Sequence, residues 1–440
     1  MTRDEARALI ERVVKLSKAD GVQVSLAAGD EKNIRFADNR ITTSGTASDV
    51  SVRIFSAFGK RHAVASTNDI SDAGLERSVR QSETLARLAP EDPEALPLLG
   101  AQTYRDVRSH FASSANVSAE ARARAAAITL DAAKAAGDLK AAGLLVTTSG
   151  IDALGNGSGL FAYHPSTTVD FTTTIRTADG TGSGWAGANH RDWSRIDFKA
   201  TSDRAIAKAR LSRNPTAIEP GRYTVILEPQ AVGDLVSLMA GALDARSAEE
   251  GRSAFSKPGG GTKLAEKIVD ERVSFVSDPA DAAILSTPFD NDGQPLSRQV
   301  WVENGVLKNL GYSRFWAQKQ GKVATGSPSS LKLEGGTESL EDIIKSTQRG
   351  VLVTRFWYIR PVNQRTLLFT GLTRDGTFMV EDGKISRPVK NMRFNESPLF
   401  MLGKLEAIGR PVRLSGDSSG LVMPAIRVRD FAFTSLSDAV

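Results

Sequence analysis

The residue types that most often perform chemistry are few and scattered in this 440-residue chain. There is no cysteine, which excludes disulfides, thiolate metal ligands and a cysteine nucleophile. The four histidines are His62, His110, His164 and His190, and none has a partner at the spacing by which a helix or hairpin assembles a metal site. We therefore expect each histidine to be a surface or structural residue.

Serines are numerous, and the spacing G-x-S-x-G occurs at Gly416–Gly420, but no strand–turn–helix pattern surrounds it, as a nucleophile elbow requires. No S-x-x-K motif occurs with its companion motifs. Ser237 follows Asp234 by one turn of a predicted helix, yet no histidine is near it in the sequence. A hydrolase centred on Ser237 is therefore an alternative that rests on this one pair of residues.

Two tryptophans lie among glycines in the segment 182–193. Trp185 and Trp193 flank His190 at a distance of a few residues. Such a segment can line a ligand pocket. The tryptophans can equally be core residues at a domain junction, which is the interpretation we favour.

The clearest secondary-structure pattern lies in the last quarter of the chain. Residues 351–359 carry β-branched and aromatic side chains on both alternating faces, which predicts a strand buried on both sides. Pro361 should end that strand, and residues 367–370 predict the next one. Asp382-Gly383 favours a type I′ hairpin turn, and Ser397-Pro398 is typical of a helix start.

The charged segment 371–376 follows the second of these strands and is predicted to be a loop. Loops held by rigid strands often carry function. Arg374 and Asp375, together with Arg360 and Asp234, are therefore candidates for a cleft or a peptide-binding site. The alternative is a solvated turn.

The order of the predicted elements indicates an α+β protein of two domains. The first, residues 1–212, is an α+β domain with an antiparallel sheet, and the proline-containing segment 213–221 is the predicted linker. Its predicted helices are 2–18, 71–88, 118–136 and 197–211, and its predicted strands are 22–27, 34–37, 48–55, 61–66, 139–148 and 169–177.

The second domain, residues 221–440, is predicted to be β-rich and barrel- or sandwich-like. A strand over 223–227 leads into a helix over 229–246. Residues 247–263 are rich in glycine and serine and predict a flexible loop. Asn304-Gly305 predicts a second hairpin turn.

Composition excludes several classes of protein. The net charge of +5 is spread thinly, without a basic block interleaved with aromatic residues, so we expect no nucleic-acid binding. No apolar run approaches the ~18 residues that cross a bilayer. The helix over 2–18 is broken by charges, unlike a signal peptide. We therefore expect a soluble, cytoplasmic protein that does not bind membranes.

Three segments together resemble one family. They are FWYIR, TRDGTFMVEDGKISRPVKNMRFNES and GQPLSRQVWVENGVLKNLGY. Taken in chain order, in which GQPLSRQVWVENGVLKNLGY comes first, they resemble the TldD/PmbA (TldE) family, whose type members form a two-subunit zinc metallopeptidase. The resemblance is strong from about residue 221 to 430 and weaker, in the same order, over the first half.

The resemblance also implies where zinc ligands would lie. TldD-type members carry His-Glu-x-x-x-His on the helix after the strand that corresponds to 223–227, and this motif falls on 237–242 here. Ser237 and Ala242 replace the histidines, and Leu238 replaces the glutamate. The third ligand of the family is a cysteine, and segment 414–423 has none. Alanine and leucine have no donor atom, and a serine hydroxyl is a poor zinc ligand.

The resemblance therefore implies a non-catalytic, TldE-like subunit with no cofactor of its own. Zinc would be held by a TldD-like partner, and the substrate would be an unfolded peptide. A metal-independent hydrolase that reuses the cleft is one alternative, with Ser237, Asp234, Arg360, Arg374 and Asp375 as its polar groups. A stand-alone peptide-binding scaffold is the other.

We predict that the isolated chain binds no stoichiometric zinc, because fewer than three good donors hold zinc weakly. The measurement is elemental analysis of carefully desalted protein. About one zinc per chain that resists mild chelation would contradict it.

Overall fold

The computed structural model describes residues 1–328 and 330–437. Its N-terminal half is built on a six-stranded antiparallel sheet with the order β3-β2-β1-β4-β5-β6. The strands are β1 Gly21–Ala37, β2 Arg40–Phe58, β3 Arg61–Thr67, β4 Leu139–Asn156, β5 Phe161–Thr177 and β6 Ser183–His190. The helices of this half are α1 Arg3–Leu16, α2 Asp72–Leu88, α3 Ala112–Ala115, α4 Ala119–Ala136 and α5 Phe198–Leu211.

The helices cover the two ends of one face of this sheet. The α1 and α2 helices pack with Val24 and Ile54 in one apolar cluster. The α4 and α5 helices pack with Ile34 and Phe171 in another. Because Val24 and Ile34 are an even number of residues apart on β1, they lie on the same face of the sheet.

One long strand replaces two predicted strands here. Strand β1 runs through both 22–27 and 34–37, and its polar middle pairs with β2 and β4 throughout. Among the described residues, no apolar cluster includes residues 29–33 of β1, so this part lacks the apolar alternation that predicts a strand. Gly29 lies against Gly150 at this point, where an added Cβ would be 2.6 Å from the Ser149 oxygen.

The C-terminal half contains the remaining elements. Its helices are α6 Pro229–Ala240, α7 Ala245–Glu249, α8 Arg314–Gln320, α9 Leu340–Lys345 and α10 Pro398–Leu402. The strands up to the large hairpin are β7 Gly221–Leu227, β8 Ser274–Ser277, β9 Gln299–Glu303, β10 Val306–Leu307, β11 Lys332–Glu334, β12 Arg349–Asn363 and β13 Leu368–Glu381. The last strands are β14 Lys384–Pro388, β15 Met392–Glu396, β16 Leu405–Ile408, β17 Val412–Arg413, β18 Val422–Met423 and β19 Ile426–Leu436.

Five of these strands close into a barrel. The ring runs β12-β7-β19-β15-β13, and β13 pairs back to β12. A six-stranded sheet with the order β10-β9-β8-β11-β18-β17 lies beside it. The buried side chains of α6, such as Leu235 and Val236, share one apolar cluster with barrel residues such as Val351 and Phe431. The predicted α+β class and the β-rich, barrel-like second half are therefore confirmed.

Two predictions for the hairpin formed by β12 and β13 are wrong. Pro361 does not end its strand, because β12 continues to Asn363 at an exposed, irregular part of the ladder where a missing N–H costs little. Segment 371–376 is not a loop but lies inside β13. Asp375 and Gly376 have φ values of 56° and 124°, so this glycine-containing sequence forms a bulge rather than a turn.

The prediction that the strand over 351–359 is buried on both sides is confirmed only for the first part of β12. Residues 350–354 are buried, whereas Trp357 and Tyr358 are exposed.

The predicted helix over 229–246 is interrupted, since α6 ends at Ala240 and a 3-10 turn over Gly241–Leu243 precedes α7.

Several local predictions are confirmed. Asp382 and Gly383 have φ values of 50° and 74°, as a type I′ turn requires. Ser118 caps α4, and Gly137 ends it in the left-handed conformation. Among the described residues, no helix is both long and apolar enough to span a bilayer.

The division near residues 213–221 stays a prediction. We expect a non-specific protease to cut in 213–221 or in 247–263 before it cuts inside 351–394, because exposed glycine-rich backbone opens more easily than buried strands. Gly259, Gly260 and Gly261 are exposed and have positive φ values. Mass spectrometry of the first fragments is the measurement, and early cleavage within 356–359 would contradict the prediction.

Candidate functional site

A cleft of about 580 Å³ lies where the two halves meet. Strand β6, from Trp185 to His190, lines the cleft together with Val412 and Arg413 of β17. Each of these strands is the last in its own sheet. The cleft is therefore bordered by two strand edges, which are the parts of a sheet that can pair with a further chain.

A buried ion pair lies against this cleft. Lys208 Nζ of α5 is 2.6 Å from Glu228 Oε2, just before α6, and both side chains are mostly buried. The other carboxylate oxygen, Glu228 Oε1, accepts a hydrogen bond from Thr354 Oγ1 at 3.1 Å. Sequence reasoning missed both charges, because each is isolated in its own segment and they meet only in the folded chain.

Arg374 and Asp375 lie where the β12–β13 hairpin contacts the N-terminal half. Asp375 accepts a hydrogen bond from Ser183 Oγ at 2.5 Å and one from Arg355 Nε at 2.8 Å. Arg374 Nε is 3.8 Å from the same carboxylate. The Arg355 guanidinium also lies 5.2 Å from the ring centre of Trp185. These residues fix the junction of the two halves.

Trp185 and Trp193 have different surroundings. Trp185 is buried at the junction and also lines the cleft, so it combines the two roles considered from the sequence. Trp193 packs against Phe198, with ring centres 4.8 Å apart, in an apolar cluster of the N-terminal half.

Asp234 lies on α6 with its carboxylate turned towards β12. Oδ2 accepts a hydrogen bond from the Phe356 main-chain N–H at 2.9 Å. Oδ1 accepts from Gln230 Nε2 at 3.1 Å and from Ser418 Oγ at 3.2 Å. Burial outweighs these bonds and raises the pKa of Asp234 to about 6.

The other predicted site residues do not join Asp234 at its carboxylate. Ser237 is exposed, and its hydroxyl donates to the main-chain oxygen of Asp234 at 3.2 Å. Leu238 and Ala242 are half-buried against the main apolar cluster. Arg360 is exposed near the end of the β12–β13 hairpin, with its guanidinium 4.4 Å from the ring centre of Tyr358.

These positions do not fit zinc. The hydroxyl of Ser237 is already used, and Leu238 and Ala242 have no donor atom. Across residues 1–328 and 330–437, no three His, Cys, Asp or Glu side chains are grouped so that they could hold a metal ion.

The histidines have structural surroundings where the structure gives them contacts. His62 Nε2 is 2.9 Å from Asp92 Oδ2, and His164 Nε2 is 3.0 Å from Ser109 Oγ in the interior. Burial lowers the pKa of His164 to about 4, so it is neutral at physiological pH.

Asp234 generates a pH-dependent prediction. Because its folded pKa is raised from 3.8 to about 6, the stability it contributes is present below about pH 4 and is lost as the pH rises through 6. We expect Asp234→Asn, which keeps an oxygen for Phe356 N–H, to gain stability over the wild type by roughly 1–3 kcal/mol between about pH 4 and pH 7.5.

Urea unfolding of both proteins across this range is the measurement. Asp131→Asn, on the exposed face of α4, is the matched control. If the stability difference for Asp234→Asn does not change with pH, the Asp234 carboxylate is not perturbed.

Two family models match the chain. The one described as PmbA/TldA metallopeptidase C-terminal domain matches residues 220–435. The one described as PmbA/TldA metallopeptidase domain 1 matches residues 22–86. Together the two matches span more than half of the chain.

Relatives and solved structures agree with these matches. A Metalloprotease from Methanothermobacter thermautotrophicus is 26% identical over 49% of this chain, which spans about half (48%) of that protein. Metalloprotease PmbA from Escherichia coli O157:H7 is 23% identical over 94% of this chain and 91% of that protein. The crystal structure of TldE from Thermococcus kodakarensis has the same fold, with a TM-score of 0.85, 18% identity, and coverage of 97% of this chain and 99% of that one. The chain belongs to the TldD/PmbA family of metallopeptidase-related proteins.

Proposed function

We propose that this chain is a non-catalytic, TldE-like subunit of a cytoplasmic protease complex acting in proteolysis or peptide maturation. It pairs with a zinc-bearing, TldD-like subunit and helps to hold unfolded peptide substrates. One observation carries the proposal: the family scaffold is complete around α6, while Ser237, Leu238 and Ala242 offer neither a metal ligand nor a general base.

The cleft supports a role in holding peptide. A peptide in extended form can add as a strand to a free sheet edge, so that main-chain hydrogen bonds bind it without regard to sequence. Val412 and Arg413 of β17, the last strand of its sheet, lie at such an edge of the cleft. On β6 the carbonyls of Trp185 and Gly187 accept hydrogen bonds from Lys208 Nζ at 3.2 Å and Arg204 Nη2 at 3.5 Å, so a peptide would pair there by displacing these side chains. This mode suits unfolded segments, because a folded chain has already paired its own backbone.

The β12–β13 hairpin supports a role in pairing with another subunit. The exposed fractions of Trp357, Tyr358 and Val362 are 43%, 56% and 54%. The Arg374 guanidinium lies 4.1 Å from the ring centre of Trp357. Aromatic residues and arginine are enriched in the centres of protein interfaces, where their burial contributes much of the affinity.

We expect the chain alone to show no peptidase activity above background. When it is mixed with a TldD-like subunit from the same cell, we expect a stable complex that cleaves unfolded peptides. Size-exclusion chromatography and a fluorescent peptide assay measure the two outcomes.

Trp357→Ser should weaken the complex about tenfold or more if this hairpin is the contact. The control is Phe400→Ser, which changes another exposed aromatic side chain, on α10.

Two results would contradict this function. Cleavage by the chain alone that survives chelator but is lost in Ser237→Ala would favour the metal-independent hydrolase. Failure to associate with any TldD-like protein would leave the stand-alone scaffold.

A further inference from the structure

A cavity that adjoins the cleft is lined mainly by cationic side chains. Its volume is about 430 Å³. The charged and titratable residues that line it are Arg108, Arg191, Arg195, Arg413, His190 and Asp192. It shares the lining residues His190, Arg195 and Arg413 with the cleft, so the two spaces adjoin. We call this cavity the arginine pocket.

Arg191 is a buried and firmly positioned member of the pocket. Its residue is only 4% exposed. Its main-chain oxygen accepts hydrogen bonds from the hydroxyls of Ser114 and Thr167, both at 2.8 Å. Its Nη2 donates to the Ser286 main-chain oxygen at 2.9 Å. Burial, with the nearby charge of Arg413, lowers the pKa of Arg191 to about 10, so it keeps its positive charge at neutral pH.

Arg413 is fixed by main-chain oxygens and retains an unused donor. Its Nε donates to the Ala283 oxygen at 2.8 Å, and its Nη2 donates to the Ala282 oxygen. Its Nη1 is buried and has no hydrogen-bond partner within the described residues. Burying such a donor without a partner is costly. A ligand that accepts from it would remove that cost.

The positive charge of the pocket is only partly compensated. The Asp281 carboxylate attracts the Arg413 guanidinium, but it is itself paired with Lys332 Nζ at 2.7 Å. Within the described residues, none of the four arginines forms a salt bridge with a carboxylate. The lining acid, Asp192, instead accepts hydrogen bonds from Ser113 Oγ at 2.6 Å and Ser194 Oγ at 2.8 Å. Buried charges in proteins are normally paired, and an anion in the pocket would pair the buried Arg191.

His190 adds a further donor. Its Nδ1 accepts the Asp192 main-chain N–H at 2.9 Å. Burial and the charge of Arg413 lower the pKa of His190 to about 4, so the ring is neutral. A neutral ring that accepts at Nδ1 carries its proton on Nε2, which is then a donor.

We propose that the arginine pocket binds a carboxylate group of the peptide that lies in the adjoining cleft. Guanidinium groups match carboxylates geometrically and form strong, charge-assisted hydrogen bonds with them. That the ligand is a peptide rests on the proposed function and on the two strand edges of the cleft. The carboxylate can come from the peptide C-terminus or from an acidic side chain.

The test measures binding of three fluorescein-labelled unfolded peptides by fluorescence anisotropy, to the full chain and to its mixture with a TldD-like subunit. One peptide ends in a free carboxylate, the second is its C-terminal amide, and the third is that amide with one internal glutamate. We expect at least one carboxylate-bearing peptide to bind about tenfold more tightly than the plain amide. The tighter of the two identifies the source of the carboxylate.

Arg195→Gln is the main variant, because Arg195 is exposed and its side chain makes no hydrogen bond or salt bridge within the described residues. It should remove most of the tenfold preference. Arg210→Gln is the matched control: it makes the same charge change at an exposed position of α5 outside the pocket, and it should leave the preference intact.

Each of the following outcomes would contradict the proposal that the arginine pocket binds a peptide carboxylate. Equal binding of all three peptides would do so while the proposed function stands. Competition by inorganic phosphate without any carboxylate preference would make it a phosphate site. If Arg195→Gln weakens subunit association but not peptide binding, the pocket is a subunit contact. If no peptide binds to either preparation, the pocket and the peptide-holding role fail together.

Discussion

Closure of the barrel through β12 is the constraint on which the C-terminal half depends. This strand pairs in parallel with β7 over residues 351–353 and antiparallel with β13 along its other side. Closure removes the free edges of the sheet and encloses one apolar interior. Helix α6 follows β7 directly, so its apolar face is drawn into that interior. The position of α6 is therefore set by the strand pairing rather than by any site on the helix.

The same geometry accounts for the buried acid of α6. Strand β7 pairs with β12 only as far as Val353, so the N–H of Phe356 has no strand partner on that side. The carboxylate of Asp234 accepts this N–H instead. Leaving it unsatisfied would cost about 1–3 kcal/mol. The perturbed pKa of Asp234 thus has a structural cause and does not require a catalytic one.

The irregularities in the barrel ladder connect the two halves of the chain. Pairing between β12 and β13 shifts between Val353 and Arg355, opposite the Asp375–Gly376 bulge. The bulge lets Asp375 meet Ser183, and the skipped Thr354 bonds Glu228. Sequence patterns predicted the capped helices, the glycine-containing hairpin turns and the barrel-like class, because these depend on neighbouring residues. They failed at the bulge, whose glycine and charges are also typical of a turn, and at Lys208 and Glu228, whose pairing depends on the fold.

The proposed absence of a metal site would not cost this scaffold its stability. The inward positions of α6, such as Leu235 and Val236, are fully buried, whereas Ser237 is exposed. Substitution at an exposed helix position changes stability by only about 0.5 kcal/mol, while truncating a buried leucine costs about 2–5 kcal/mol. A folded chain without a catalyst is therefore physically accessible. The arginine pocket differs from α6 in this respect. Arg191 and Arg413 hold segment 282–286 through its main-chain oxygens, but Arg413 Nη1 is buried without a partner among the described residues, which lowers stability. These structural bonds leave Nη1 unexplained, whereas an anionic ligand in the pocket would accept from it.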